Sequence, residues 1–156
     1  MTIARMLAAS TAREPGALAI VDGDRRLTYG EWSEDIRKLA GGLSSLGLSE
    51  GDHLVAFLSN RLEMASLYWA CQTIGAIFTP FNWRASGPEM AYVINDAEAK
   101  LVVYEERSAA SAMAAVVEAG FPEDRVIHLD GGAGVDFGAV ADGKPYDGRK
   151  PSAENG

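Results

Sequence analysis

The chain has 156 residues, enough for one compact domain that buries roughly two-thirds of its unfolded surface. Apolar residues make up 47% and charged residues 23%, a globular balance that excludes disordered and collagen-like chains. A net charge of -8 argues against a nucleic-acid or anionic-membrane partner, since both need clustered Lys and Arg, but it leaves room for phosphates held by backbone N–H groups and one or two cations.

The single cysteine, Cys71, rules out an intrachain disulfide and fits a reducing cytosol, so a cytoplasmic location is expected. The opening MTIARMLAASTAREPG lacks a long apolar run and is broken by Arg5, Arg13 and Glu14, so no signal peptide is expected. No stretch approaches the ~18 uninterrupted apolar residues of a membrane span.

In chain order, Ile3 to Arg13 suits a short amphipathic helix stopped at Glu14-Pro15-Gly16. Leu18 to Val21 reads as a strand that Asp22-Gly23-Asp24 turns back into Arg26 to Thr28, a small hairpin. Thr28 and Glu31 have the spacing of a capping box, and Trp32, Ile36, Leu39, Leu43 and Leu46 then mark one helical face ending at Gly47. His53 to Leu58 is a buried strand, and Arg61 to Ile74 a helix apolar on nearly all sides, as expected of one covered by other parts of a larger protein. Ala76 to Thr79 is a strand stopped by Pro80. Ser86-Gly87-Pro88-Glu89 opens a helix carrying Met90, Val93, Ile94 and Ala97, followed by a strand at Leu101 to Tyr104, an Ala-rich helix at Arg107 to Ala119 and a strand at Arg125 to Leu129.

From His53 to Leu129, strands and helices thus alternate, and the strands are continuous apolar runs without period-two alternation, the pattern of strands buried on both faces. The predicted fold class is α/β, a doubly wound, mostly parallel sheet with helices on both faces. Beyond Asp130 the composition turns to Gly, Asp, Lys, Pro and Ser, with only Val135 to Val140 suited to a brief ordered segment. Residues 1–130 are therefore read as one α/β unit and 131–156 as surface loop and linker.

Two stretches carry more than a fold class: LTYGEWSEDIRKLAGGLSSLGLSEGDHLVAFLSN, Leu27 to Asn60, and CQTIGAIFTPFNWRASGPEMAYVINDAEAKLVV, Cys71 to Val103. Their Leu-Thr-Tyr-x-Glu helix start, Gly-Asp before a strand, Gly-Ala-x-x-x-Pro-x-Asn turn and Glu-x-x-Tyr-x-x-x-Asp-x-x-Ala unit stand in the order and spacing of one family. The chain resembles the opening of acyl-CoA synthetases, the AMP-forming acid–CoA ligases of the adenylate-forming superfamily. The resemblance implies a full-length parent that uses ATP, Mg²⁺ and CoA to turn a small carboxylic acid first into an acyl-adenylate and then into a thioester. It also implies that the phosphate-gripping loop, the ribose-binding acid and the second lysine lie in the remaining subdomains of such an enzyme, which would be this chain's partners. The chain alone is accordingly expected to catalyse nothing, and neither a catalytic residue nor a metal ligand is assigned within it. Two alternatives stay open: delivery of the acyl group to a carrier-protein thiol or an oxygen, and a non-catalytic α/β binding module.

One residue is singled out for cofactor binding. Arg84, in Asn82-Trp83-Arg84, occupies the place where, by the resemblance, some CoA ligases contact the nucleotide phosphate of CoA, and a guanidinium suits that contact. The competing reading is a surface arginine paired with Glu89 or solvent. Trp83 is expected to pack on its own domain. Cys71, among apolar neighbours, reads as a buried inert thiol, and His53 and His128 lack partners at metal spacing. Gly131-Gly132-Ala133-Gly134 fails the dinucleotide pattern and reads as a flexible surface turn, while Asp22, Asp24, Glu105 and Glu106 read as solvated turn or helix-start charges.

Overall fold

The computed structural model describes residues 3–148. Helix α1 (Ile3–Arg13) leads into an antiparallel hairpin of β1 (Leu18–Asp22) and β2 (Arg25–Thr28), and α2 (Tyr29–Ser45) follows without a gap. The start of α2 is fixed locally by the expected capping box. The Thr28 hydroxyl accepts the Glu31 N–H at 3.2 Å, and the Glu31 carboxylate accepts the Thr28 N–H at 3.0 Å, which holds that carboxyl below its usual range. The predicted stripe is buried at Trp32, Ile36, Leu39 and Leu43, its last member Leu46 is a half-buried cap just past the helix, and the Trp32 indole N–H donates to the Ser66 hydroxyl at 3.0 Å.

The central sheet is built from β3 (His53–Phe57), β4 (Ile77–Pro80), β5 (Ala99–Tyr104), β6 (Val126–His128) and β7 (Val135–Asp136), in the spatial order β4-β3-β5-β6-β7 with every pair parallel. Between them run α3 (Leu62–Ile74), α4 (Gly87–Asp96) and α5 (Ala109–Ala119), and α6 (Phe137–Ala141) comes last. Successive strand residues point to opposite faces, which explains the unbroken apolar runs. Leu54, Ala56, Leu101, Val103 and Ile127 pack with α2, α3 and α6, whereas Val55, Phe57, Val102, Tyr104 and Val126 pack with α4 and α5. Both faces are dry. The doubly wound parallel sheet expected from the alternation of elements is the fold observed.

The Gly-rich stretch after Asp130 is more ordered than its composition suggests. Val135–Asp136 adds the fifth strand, and α6 with the residues beyond it crosses α2 so closely that backbone meets backbone. A Cβ on Gly41 would lie 1.6 Å from the Lys144 carbonyl oxygen, and one on Gly42 would lie 1.8 Å from that of Val140. Two adjacent glycines on one helix face thus form the seat for the returning chain, which the Tyr146 N–H fastens to the Arg37 carbonyl at 3.0 Å. Residues 149–156 of the expected linker lie outside the described residues.

Replacing either glycine by alanine forces two backbones apart. Gly41→Ala and Gly42→Ala are each expected to lower unfolding free energy by about 2–3 kcal/mol, the scale of core overpacking. The control is Gly16→Ala, whose added methyl meets nothing within 4 Å. Urea midpoints for the three variants check this, and an unshifted Gly41→Ala midpoint would remove the crossing as a stabilising contact.

Candidate functional site

All five strands are parallel, so their carboxyl ends share one rim of the sheet. The chain goes from β3 outward to β4, then crosses back to β5 on the other side of β3. At such a reversal the loops leave in opposite directions and open a crevice, the place where open α/β sheets bind ligands. Here the loops after β3, β4, β5 and β6 bring Ser59, Asn60, Arg61, Trp83, Glu105, Glu106, Arg107 and Asp130 around a polar cleft of about 610 Å³.

Its floor is an ion network centred on Arg61. The guanidinium donates to both Asp130 carboxylate oxygens at 3.0 and 3.2 Å, to Glu105 at 3.2 Å and to Glu63 at 3.0 Å. Glu105 is 3% exposed, and its other oxygen accepts the Ser59 N–H. Ser108 completes the corner, accepting the Glu105 N–H at 3.1 Å and donating to the Phe57 carbonyl at 2.8 Å. The hydrogen bond from Arg61 and that from the Glu106 N–H hold the Asp130 carboxyl below its ordinary range. Glu63 loses some preference for its charged form through burial, but hydrogen bonds from Arg25 and Arg61 outweigh this and lower its pKa too. Asp130, through the Arg61 hydrogen bond, and Glu63 in turn raise that of Arg61.

The rim has a different character. Trp83 is half-buried, with the Arg84 guanidinium 4.7 Å and the Arg107 guanidinium 5.6 Å from its ring centroid. Arg84 is exposed and makes no ion pair with Glu89 among the described residues, and its N–H donates to the Asn82 side-chain oxygen at 3.0 Å. Arg84, the residue singled out from the sequence, stands beside Trp83 at the cleft's edge, and Trp83, expected to pack on its own domain, does so half-buried beneath two of that domain's cations. Arg107 and Arg61 escaped notice because nothing local marks them. Glu105, expected as a solvated charge, is the most buried acid of the site, and Asp22 caps α3 by accepting the Leu62 N–H at 2.9 Å.

Other candidates are settled more simply. Cys71 is buried and its thiol is pushed up to about 12, as an inert core cysteine should be. His53 Nδ1 lies 3.3 Å from the Thr79 hydroxyl, and His128 Nδ1 accepts the Gly131 N–H at 3.1 Å. No group of three metal-ligating side chains gathers among the described residues. The Gly131–Gly134 turn is closely fitted. Gly134 has φ +102°, and a Cβ there would sit 2.4 Å from the Val126 carbonyl, while the Ala133 carbonyl accepts the Tyr104 hydroxyl at 2.7 Å.

Comparison with known proteins agrees with this geometry. A family model described as AMP-binding enzyme matches residues 7–155. The chain belongs to the AMP-binding enzyme family. It is 33% identical over 144 residues, 84% of its length, to 2-succinylbenzoate–CoA ligase of Bacillus licheniformis, of which it covers 30%. The N-terminal domain of FACL13 from Mycobacterium tuberculosis superposes with a TM-score of 0.78 at 26% identity, over all of this chain and 39% of that one. A benzoate CoA ligase from Burkholderia xenovorans shares the fold, with a TM-score of 0.83 at 19% identity over 99% of this chain and 31% of that one. The chain thus spans less than a third of the length of that curated ligase relative. No described helix is long and apolar enough to cross a membrane.

The Arg61 network makes a pH-dependent contribution whose sign follows from the lowered carboxyls. Asp130 and Glu63 have folded pKa values below their ordinary 3.8 and 4.5, so their stabilisation is fully present above those values and is lost as pH falls through the folded ones. Arg61→Ala is expected to cost about 2 kcal/mol at neutral pH, less than a fully buried pair because Arg61 is partly exposed, and to flatten the acid limb below about pH 4. Urea titrations at a series of pH values check both. An acid limb of unchanged steepness in the variant would show that these pairs do not govern it.

Proposed function

We propose that the chain is the amino-terminal α/β subdomain of an ATP-dependent carboxylic acid–CoA ligase, with residues 1–130 carrying most of it and β7 and α6 of the following segment completing its sheet and core. The carrying observation is the family match over residues 7–155, joined by CoA ligase relatives. In this reading an acid attacks the α-phosphate of ATP to give an acyl-adenylate and pyrophosphate, and the CoA thiol then displaces AMP.

The cleft's residues fit one part of that chemistry. Trp83 offers an aromatic face, and Arg84 and Arg107 offer two exposed guanidiniums beside it, a donor set suited to an anionic nucleotide such as that of CoA. These three residues would bind and orient the nucleotide end. The fit to Mg²⁺ is poor, because Glu105 and Asp130 are already committed to Arg61 and to backbone N–H groups. No step is therefore assigned to a metal in this chain. Adenylation needs positive charge on the transferring phosphates, which is left to residues of the remaining subdomains.

Two measurements test the reading. The purified chain with ATP, Mg²⁺ and a panel of aliphatic, aromatic and alicyclic acids should release no pyrophosphate, and robust release would overturn the assignment of catalysis elsewhere. In the full-length enzyme Arg84→Ala should raise the KM for CoA about tenfold, the loss of roughly one charge-assisted contact, and leave acid-dependent pyrophosphate exchange unchanged. An unaltered KM for CoA would dismiss Arg84 as a CoA contact.

A further inference from the structure

The turn that follows β6 at the edge of the polar cleft is held by an imidazole. His128, its side chain 11% exposed at the carboxyl end of β6, has Nδ1 3.1 Å from the nitrogen of the Gly131 N–H. A backbone N–H can only donate, so Nδ1 is the bare nitrogen and the ring proton sits on Nε2. Gly131, at φ +93°, then opens the closely fitted glycine turn. Asp130 stands between the two, where it accepts from Arg61 and from the Glu106 N–H, each at 3.0 Å. The bond from Gly131 to His128 therefore closes the short loop that carries Asp130.

A proton on Nδ1 sets two donors against each other and removes that bond. The ring has another partner waiting. The Asp136 carboxylate of β7 lies 3.9 Å from Nδ1, too far for a hydrogen bond to a neutral ring but attractive to a charged one. Asp136 is 62% exposed and already caps α6 through the Ala139 N–H, so water screens that attraction and it does not replace the lost bond in full. Asp130 also feels the charge of the ring, which then competes with Arg61 for it. Tyr104, paired with His128 across β5 and β6, gives its hydroxyl proton to the Ala133 carbonyl and is pushed further from ionisation by burial. After β5, Glu106 meets Asp130 through its N–H and Arg107 lies over Trp83. We propose that His128 is a positioning residue that acts as a proton-gated latch on the cleft. Neutral, it holds the Gly131 turn and keeps Asp130 on Arg61; protonated, it lets the turn go, swings toward Asp136 and loosens Asp130. Imidazoles change charge between about pH 5 and 8, so the latch opens well above the acid limb of the carboxylates, and it does not depend on the ligase reading.

Nuclear magnetic resonance of the nitrogen-15-labelled chain tests it, with amide exchange and the imidazole nitrogen shifts followed together. The Gly131 amide reports the latch and the Glu106 amide reports Asp130. The Phe121 amide, bonded to the Val116 carbonyl at 2.9 Å, is the reference. From about pH 8 to about pH 5, protection of Gly131 and Glu106, corrected for intrinsic rate, should fall at least about tenfold as Nδ1 takes up its proton, while Phe121 keeps its protection. In His128→Asn the side-chain oxygen stands in for Nδ1 and does not titrate, so both amides should stay protected throughout. In His128→Ala both should be weakly protected at either pH. Constant Gly131 protection while the ring titrates overturns the latch, as does an Nδ1 that stays bare down to about pH 5. A fall that persists in His128→Asn assigns the pH dependence to another group and equally overturns it. Loss of protection at Gly131 with Glu106 unmoved confines His128 to its own turn and refutes its hold on Asp130.

Discussion

One guanidinium holds the functional end of this sheet together. Arg61 follows β3, Glu105 follows β5 and Asp130 follows β6, so its hydrogen bonds tie three strand ends that only the parallel topology brings side by side. A carboxylate as enclosed as Glu105 would be costly without partners, and it has two, Arg61 and the Ser59 N–H. The network extends further through Glu63, which also accepts from Arg25 of the hairpin, and Arg25 pairs with Asp22, the cap of α3. The small antiparallel hairpin is thereby fastened to the rim of the main sheet.

That fastening shapes the electrostatics of the cleft. Two of its acids are engaged in structure: Glu105 and Asp130 each accept from Arg61 and from a backbone N–H. The cations at the rim, Arg84 and Arg107, meet only the face of Trp83 among the aromatic contacts and stay exposed. An anion approaching the cleft therefore finds its available donors at the rim above β4 and β5. Local arrangement, and not the net charge of -8, decides which ligands the surface can hold.

What the sequence disclosed, and what it withheld, divides along sequence distance. The Thr28–Glu31 box, the Trp32-to-Leu43 stripe and the doubly buried strands are short-range patterns, and each was legible in a window of a few residues. The burial of Glu105 depends on a side chain 44 residues earlier, and the cap on α3 comes from a residue 40 positions before Leu62. The order of the Gly-rich stretch after Asp130 rests on Gly41 and Gly42, whose missing Cβ atoms matter only once the chain has returned to them. Motif order told the family. It could not tell that Trp83 and Arg107 converge at the cleft, because they lie on loops after different strands and meet only through the β4-β3-β5 order.

The polar cleft and an apolar groove of about 550 Å³ beside it, between β1, α3 and β4, follow from a single geometric cause. Where the chain reverses between β4 and β5, the loop after β3 is left standing between them, with Asn60 and Arg61 at its tip. On one side of that tip the strand ends present polar groups, because backbone leaving a sheet needs hydrogen-bond partners. On the other side the first turns of α3 present Leu62, Met64 and Ala65, because this helix is apolar on more than its inner face. The cleft and the groove share a wall at Asn60 and Arg61, and Arg61 in turn holds the ends of β5 and β6 through Glu105 and Asp130.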